Sequence, residues 1–313
     1  MARANFFYRV YATIYFIIAY LFIFIFSDVP RCLFQRRKNI AGQVVVITGG
    51  AMGIGRDVAI RLSLKHQAKV CILDINEKEG LATLDEIHRA GGTAQFFKCD
   101  VSNHKDLSDI AARIRKDPML GSVDILIANA AILKFGLIND LSFEDYTLNN
   151  NVNYLGHVYT IKAFLSDMLE KRKGHIVSIG SICSHFGDTK GTAYCSAKFA
   201  CRGFMEALQA DLLEQNQKDI ALTSIYPYFV RTSFISQLQE PFSTFWDIIP
   251  LEVATNEIVD SILYERLTHF IPNSIQLLCV YIKWMATKGT IPMGRRIFNV
   301  NCKPKPSDTL NIV

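Results

Sequence analysis

The chain has 313 residues, is 50% hydrophobic and 20% charged, and carries a formal net charge of +5. That is enough apolar material for one large domain with extensions or for two small ones, and too much for a disordered chain. No Lys/Arg block with interleaved aromatics marks a nucleic-acid surface. The eight cysteines (Cys32, Cys71, Cys99, Cys183, Cys195, Cys201, Cys279 and Cys302) contain no C-x-x-C pair, which argues against a zinc site or disulfide framework and for reduced thiols.

Residues 10–26, VYATIYFIIAYLFIFIF, carry no charge. A membrane span takes about 17–25 apolar residues, so the run sits at the short end of that range. The bulky residues of FIFSDVP do not suit signal cleavage, which favours a retained anchor. Arg31, Arg36, Arg37 and Lys38 follow it, placing the rest of the chain on the cytoplasmic side, while Arg3 and Arg9 stand on the other flank. A monotopic hairpin or interfacial helix is the alternative to a span.

After the basic linker, short apolar runs alternate with amphipathic stretches. QVVVITGG, AKVCILDI, AQFFKCDV, VDILIANAAI, HIVSIGS and IALTSIYP read as six buried strands. RDVAIRLSLKH, NEKEGLATLDEIHRAG, HKDLSDIAARIRKD, a long stretch from Ser142 to Gly174 and the segment around Tyr194 read as the helices between them. Apolar strands alternating with helices predict an α/β fold: a doubly wound, mostly parallel sheet of Rossmann type, in one catalytic domain over residues 40–270 behind an anchor and linker over 1–39. Residues 271–296 form a second apolar stretch, broken by Lys283, that reads as an interfacial helix; a polar tail completes the 271–313 segment.

TGGAMGIG, residues 48–55, lies between the first strand and the first helix. Gly49, Gly53 and Gly55 let backbone approach a pyrophosphate at a helix N-terminus, where free N–H groups favour negative charge. The second strand ends at Asp74, placed to hydrogen-bond a ribose 2′-hydroxyl and to repel a 2′-phosphate. No Arg or Lys occurs among Gly50, Ala51 and Met52. NAD(H) is favoured; Arg56 after the last glycine leaves NADP(H) open. In AYCSAKFA, Tyr194 and Lys198 share one helical face at i and i+4, where an ammonium favours the phenolate and makes Tyr194 a general acid/base.

The T-G-x-x-x-G-x-G turn together with Tyr194-x-x-x-Lys198 resembles the short-chain dehydrogenase/reductase superfamily, over roughly residues 41–235. The anchor, KAFLSDM, GHIVSI and YCSAKFA look most like its membrane-bound retinol and 17-beta-hydroxysteroid dehydrogenase branch, which includes lipid-droplet members. The resemblance implies that Ser181 holds the substrate oxygen and Tyr194 moves the proton. It implies that Lys198 lowers the Tyr194 pKa and holds the nicotinamide ribose, and that Asn153 anchors a water relay to Lys198. Thr48, Gly49, Gly53, Ile54 and Gly55 would line the dinucleotide, Asp100 and Val101 the adenine, with Asn129 beside them and Val230 and Thr232 around the nicotinamide amide. The sequence departs from the family at Ala131, where glycine is usual, and at Pro227-Tyr228, where Pro-Gly is usual. The reaction expected is oxidation or reduction of a lipophilic alcohol or carbonyl (retinoid, steroid or fatty alcohol) at the endoplasmic reticulum membrane or a lipid droplet, facing the cytosol. A homodimer through the helices around Asn153 and Tyr194 is implied too. The alternative is a retired enzyme that binds dinucleotide and serves as a membrane scaffold.

His104, His157, His175 and His185 lack metal-ligand spacing, and no metal is expected; Ser181 has no His–Asp partner pattern. Cys183 and Cys195 read as small core residues. Phe234, Phe242, Phe245 and Trp246 follow the sixth strand, where they line either an apolar pocket or ordinary core.

Overall fold

The computed structural model describes residues 6–28, 36–242, 246–281 and 301–304. The chain divides into two units, Met1–Lys38 and Asn39–Val313. In the first, α1 (Phe6–Ile23) continues into a π-helical turn, Phe24–Asp28. Residues Phe6–Phe26 are long and apolar enough to cross a bilayer and bury nothing. Phe7, Phe16 and Phe26 are exposed, and Tyr11–Tyr15 and Tyr20–Phe24 stack at i, i+4. A helix so apolar and so exposed within its unit suits lipid better than water.

The second unit is a seven-stranded parallel sheet in the order β3-β2-β1-β4-β5-β6-β8. Its strands are β1 (Val44–Thr48), β2 (Lys69–Asp74), β3 (Thr93–Lys98), β4 (Ile125–Ala128), β5 (Gly174–Ile179), β6 (Ile220–Pro227) and β8 (Thr268–Ile271). A small antiparallel pair, β7 (Leu238–Phe242) with β9 (Asn301–Pro304), stands apart. The α/β reading of the sequence holds, and the six strands fall where the apolar runs predict. The seventh, THFI, closes the sheet by pairing Tyr226 with Phe270.

Period-2 alternation divides the core between the faces of the sheet. Val45 and Ile47 of β1 join Val58, Leu62, Ile258 and Phe270 on one face; Val44 and Val46 join Leu107, Ile114, Phe164 and Met205 on the other. The helices are α2 (Gly53–His66), α3 (Glu77–Arg89), α4 (His104–Lys116), α5 (Phe143–Asn149), α6 (Gly156–Lys171), α7 (Thr192–Glu214) and α8 (Leu251–Leu263). Asn76 and Asn103 cap α3 and α4 by accepting backbone N–H groups, and Ser142 with Asp145 forms a capping box on α5. The expected helix over 142–174 is not continuous: residues Asn150–Leu155 are π-helical, and the widened turn brings both Asn149 and Asn153 fully inside. The strand order reverses between β1 and β4, which opens a crevice at their C-terminal ends.

Candidate active site

The crevice holds a cavity of about 460 Å³. At one end lies the glycine turn. Gly49 (φ +65°) and Gly53 (φ +54°) occupy the left-handed region, and Gly49 N–H donates to Leu73 O at 2.8 Å. Gly55 serves packing instead: a Cβ there would lie 2.0 Å from Gly49 O. The turn is braced from behind. Thr48 Oγ1 accepts from Asn129 N at 3.0 Å, and Asn129 Nδ2 donates to Thr48 O and Gly49 O at 3.0 Å each. Asn129 still lines the cavity, whereas Thr48, 1% exposed, stands behind the wall and braces it.

Asp74, at the end of β2, takes Ala51 N–H on Oδ2 and Asn76 N–H on Oδ1, both at 2.9 Å, so its carboxylate faces the turn with lone pairs to spare. Arg56, the nearest following cation, is ion-paired with Glu86 of α3. Asp100 accepts from Ser102 N and Oγ, and together with Val101 it lines the neighbouring wall. A positive-φ glycine turn at the start of α2 and a carboxylate edge beside it suit a dinucleotide: Gly49, Gly53, Ile54 and Gly55 would face its phosphates, Asp74 its ribose and Asp100 its adenine.

At the other end, Ser181, Tyr194 and Lys198 line the same cavity, with Val230 and Thr232 between the two ends. Ser181 closes β5 and caps the short 3-10 turn Ile182–Ser184, its Oγ accepting Cys183 N–H at 3.1 Å. Tyr194 and Lys198 share one face of α7. The Lys198 ammonium sits 5.7 Å from the Tyr194 ring centroid and donates to Ile179 O at 3.2 Å. Tyr194 is 9% exposed and Lys198 1%.

Burial pushes the Tyr194 phenol well above its usual value; neighbouring Cys183 adds to the rise, and a hydrogen bond to Ser181 only partly opposes it. Burial likewise pushes Lys198 down. Burial thus works against the phenolate that an i, i+4 ammonium favours.

Asn153 lies outside the cavity wall. Its Oδ1 accepts Ile132 N–H at 2.7 Å, and its Nδ2 donates to Ile132 O at 2.9 Å and Asn149 Oδ1 at 3.0 Å, clamping the loop that follows β4. Its backbone carbonyl accepts the Cys201 thiol at 2.8 Å. Buried His157 lies near Lys198, hydrogen-bonds Ser178 through Nδ1 at 3.3 Å, and is pushed down to about 3, first by burial and then by the Lys198 charge. Ala131, Pro227 and Tyr228 all line the cavity, and Tyr228 also packs against Phe229 and Trp246.

Around Tyr194 the wall is apolar. Leu133, Phe135, Phe229 and Phe234 surround the ring, and Phe234 lies 6.2 Å from it, centroid to centroid. Phe234 is thus a cavity residue and Trp246 a core residue; the Phe242 side chain and Phe245 lie outside the described residues, as do Arg31 and residues 282–296 of the second apolar stretch. Sequence reasoning missed Leu133, Phe135 and Asn149, although the i, i+4 pair in NNNVN was a usable signal. Among the described residues no cluster of three or more metal-ligating side chains occurs.

Comparison with known proteins agrees with this geometry. Residues 43–241 match the short chain dehydrogenase family model. Human 17-beta-hydroxysteroid dehydrogenase 13 is 29% identical over 279 residues, 89% of this chain and 91% of that protein. Human epidermal retinol dehydrogenase 2 is 31% identical over 267 residues, 82% of this chain and 85% of that protein. Among solved structures, a metagenomic short-chain oxidoreductase in complex with NADP matches with a TM-score of 0.56 at 26% identity, over 61% of this chain and 84% of its own. A 7 alpha-hydroxysteroid dehydrogenase complexed with NADH and 7-oxo glycochenodeoxycholic acid matches in fold with a TM-score of 0.65 at 22% identity, over 74% of this chain and 92% of its own. The Gly49–Gly55 turn, the Ser181, Tyr194 and Lys198 wall and the match across 43–241 together make this chain a member of the short-chain dehydrogenase family, and so an oxidoreductase.

Proposed function

We propose that the chain interconverts a lipophilic alcohol and its carbonyl, using NAD(H), at a membrane surface. The observation that carries this reading is the junction at Tyr194: a buried phenol, hydrogen-bonded by Ser181 and overlooked by Lys198, where an apolar wall meets the glycine-turn half of the cavity. A bound nicotinamide dinucleotide would supply the hydride acceptor or donor. Ser181 holds the substrate oxygen. Tyr194 gives its proton to that oxygen in reduction and takes the hydroxyl proton in oxidation; Lys198 stabilises the phenolate left behind. Asn153 keeps the loop at Ile132, and with it the neighbouring Leu133 of the apolar wall, in place. General acid–base help of this kind is worth about 10²–10⁴-fold.

Leu133, Phe135, Phe229 and Phe234 exclude water and favour a steroid, retinoid or long-chain alcohol, and the first two classes are named in the relatives. Asp74 facing the turn, with Arg56 engaged by Glu86, favours a ribose 2′-hydroxyl over a 2′-phosphate. The 6–26 helix would hold the domain at the endoplasmic reticulum or a lipid droplet, with the 40–270 catalytic domain in the cytosol. The scaffold alternative rests on Ala131 and Pro227-Tyr228. Both departures line the cavity, and the intact Ser181, Tyr194 and Lys198 wall beside them favours the enzyme.

The test is turnover by full-length protein in membranes, with retinol, hydroxysteroids and fatty alcohols, in both directions across about pH 6 to 9. The expected result is turnover on one of these lipids that falls about 10²–10⁴-fold in Tyr194→Phe. Turnover unchanged by that substitution, with chemistry shown to be rate-limiting, would remove Tyr194 as the proton carrier.

A further inference from the structure

Helix α5 is seven residues long, too short to stand alone in water, yet its side chains reach the substrate end of the cavity along separate routes. Leu148 lines the cavity directly, as does Val152 on the π-helical turn that follows. Asp145 pairs at 3.5 Å with Lys134, which lies between Leu133 and Phe135 of the apolar wall. Tyr146 Oη shares a hydrogen bond of 2.6 Å with Thr192 Oγ1, on the first residue of α7 and two before Tyr194. Asn149, fully buried, accepts Asn153 Nδ2 on its Oδ1 and donates through its Nδ2 to Asp145 O, both at 3.0 Å. The wall loop is also tied to the chain before α7, where Gly136 N–H donates to Lys190 O at 2.8 Å beside a Gly136–Gly191 bridge. The part Asn149 plays follows from its donors and acceptors. Asn153 Nδ2 carries two protons; one goes to Ile132 O, and Asn149 Oδ1 takes the other. That fixes which way the Asn153 amide points, with its Oδ1 on Ile132 N–H; turned over, the amide would set donor against donor.

We propose that α5 is a clasp in which Asn149 and Tyr146 are positioning residues. Asn149 acts through Asn153 and Ile132, and Tyr146 acts through Thr192. Together they hold Leu133 and Phe135 in register with Tyr194, and so set a preference for rigid, ring-built alcohols over flexible chains. A wall of Leu133, Phe135, Phe229 and Phe234 held in one geometry suits a fused-ring lipid, which has little rotamer freedom to lose on binding. A long-chain alcohol loses more on entering such a site, and it suffers least when the wall gives way. The selectivity rests on reading the cavity as the lipid site of the proposed oxidoreductase; the ties themselves do not.

The experiment uses the full-length protein in lipid nanodiscs. It measures kcat/KM for a hydroxysteroid and for a long-chain alcohol on one preparation, and amide exchange by mass over residues 131–135. Asn149→Leu keeps the bulk and removes the acceptor. The steroid-to-chain ratio should fall about tenfold, the worth of one such hydrogen bond, and exchange at Ile132 should quicken by about as much while that of β1 stays unchanged. Asn149→Asp should restore both. A carboxyl buried there takes up a proton, so its C=O accepts from Asn153 and its O–H donates to Asp145 O. Tyr146→Phe and Thr192→Val should lower the ratio alike, and the double variant no further. Both substrates meet the same preparation, so a loss of folded protein leaves the ratio unmoved. An unchanged ratio in Asn149→Leu, with or without faster exchange, overturns the proposal, as does additive behaviour of the Tyr146 and Thr192 variants. Failure of the oxidoreductase reading shows separately, as wild type that turns over neither lipid while Ile132 exchange still answers to position 149; the selectivity then falls with that reading.

Discussion

Two glycines of the same turn are needed for different reasons, and substitution separates them. At Gly55 the obstacle is space. A Cβ would sit 2.0 Å from Gly49 O and 2.6 Å from Asn129 Nδ2, whereas real Cβ contacts stay beyond 3.0 Å, so α2 must back away from the turn by about 1 Å. Overpacking of this kind costs about 3 kcal/mol when the clash is with backbone, at the upper end of its usual range. At roughly 2–4 °C per kcal/mol for a domain of this size, Gly55→Ala should melt about 6–12 °C below wild type. At Gly53 the obstacle is conformation: φ is +54°, and the nearest atom to a Cβ is a Thr232 methyl at 3.5 Å. Gly53→Ala should cost about 1–2 kcal/mol, and Gly53→Asn should recover part of it because Asn tolerates the left-handed region. Gly55→Asn should be worse than Gly55→Ala. Thermal melts of the four variants decide the matter. If Gly55→Ala melts with wild type, or Asn rescues position 55 rather than 53, the account of the turn is wrong.

Asp74→Ser removes the carboxylate that disfavours a 2′-phosphate. The ratio of kcat/KM for NADP(H) to that for NAD(H) should rise about tenfold or more, and an unchanged ratio would place selectivity elsewhere. His157 governs an acid limit. Its folded-state value of about 3 lies below the ordinary 6.5, so the unfolded chain takes up this proton first. The stabilisation is in full force above about pH 6.5 and fades as pH falls toward about 3. Between pH 7.5 and 5 the loss through this group is about 2 kcal/mol, read as a drop in urea midpoint. His157→Gln should show a smaller drop over that interval, and an equal drop would assign the acid limit to other groups.

The sheet was legible because its six predicted strands are continuous runs such as VVVIT and ILIA, which only a parallel sheet covered on both faces buries. THFI escaped notice because four residues carry too little periodicity, and its burial depends on β6 beside it. The glycine turn and the Ser181, Tyr194 and Lys198 set could be read from spacing and resemblance. The direction of the Tyr194 shift could not, because burial is supplied by Leu133 and Phe234, sixty-one positions before the tyrosine and forty after it. The same holds for Asn153: the π-helical turn that directs it onto Ile132 is a backbone choice that NNNVN does not announce.

The most direct test of the central claim is Tyr194→Phe in the full-length, membrane-bound protein, with turnover and NADH binding measured on the same preparation. The ring and its packing against Phe234 remain, so only the proton-carrying oxygen is lost. Turnover of the lipophilic alcohol should fall by about 10²–10⁴-fold with NADH affinity unchanged. A Tyr194→Phe protein that turns over at the wild-type rate would contradict the account.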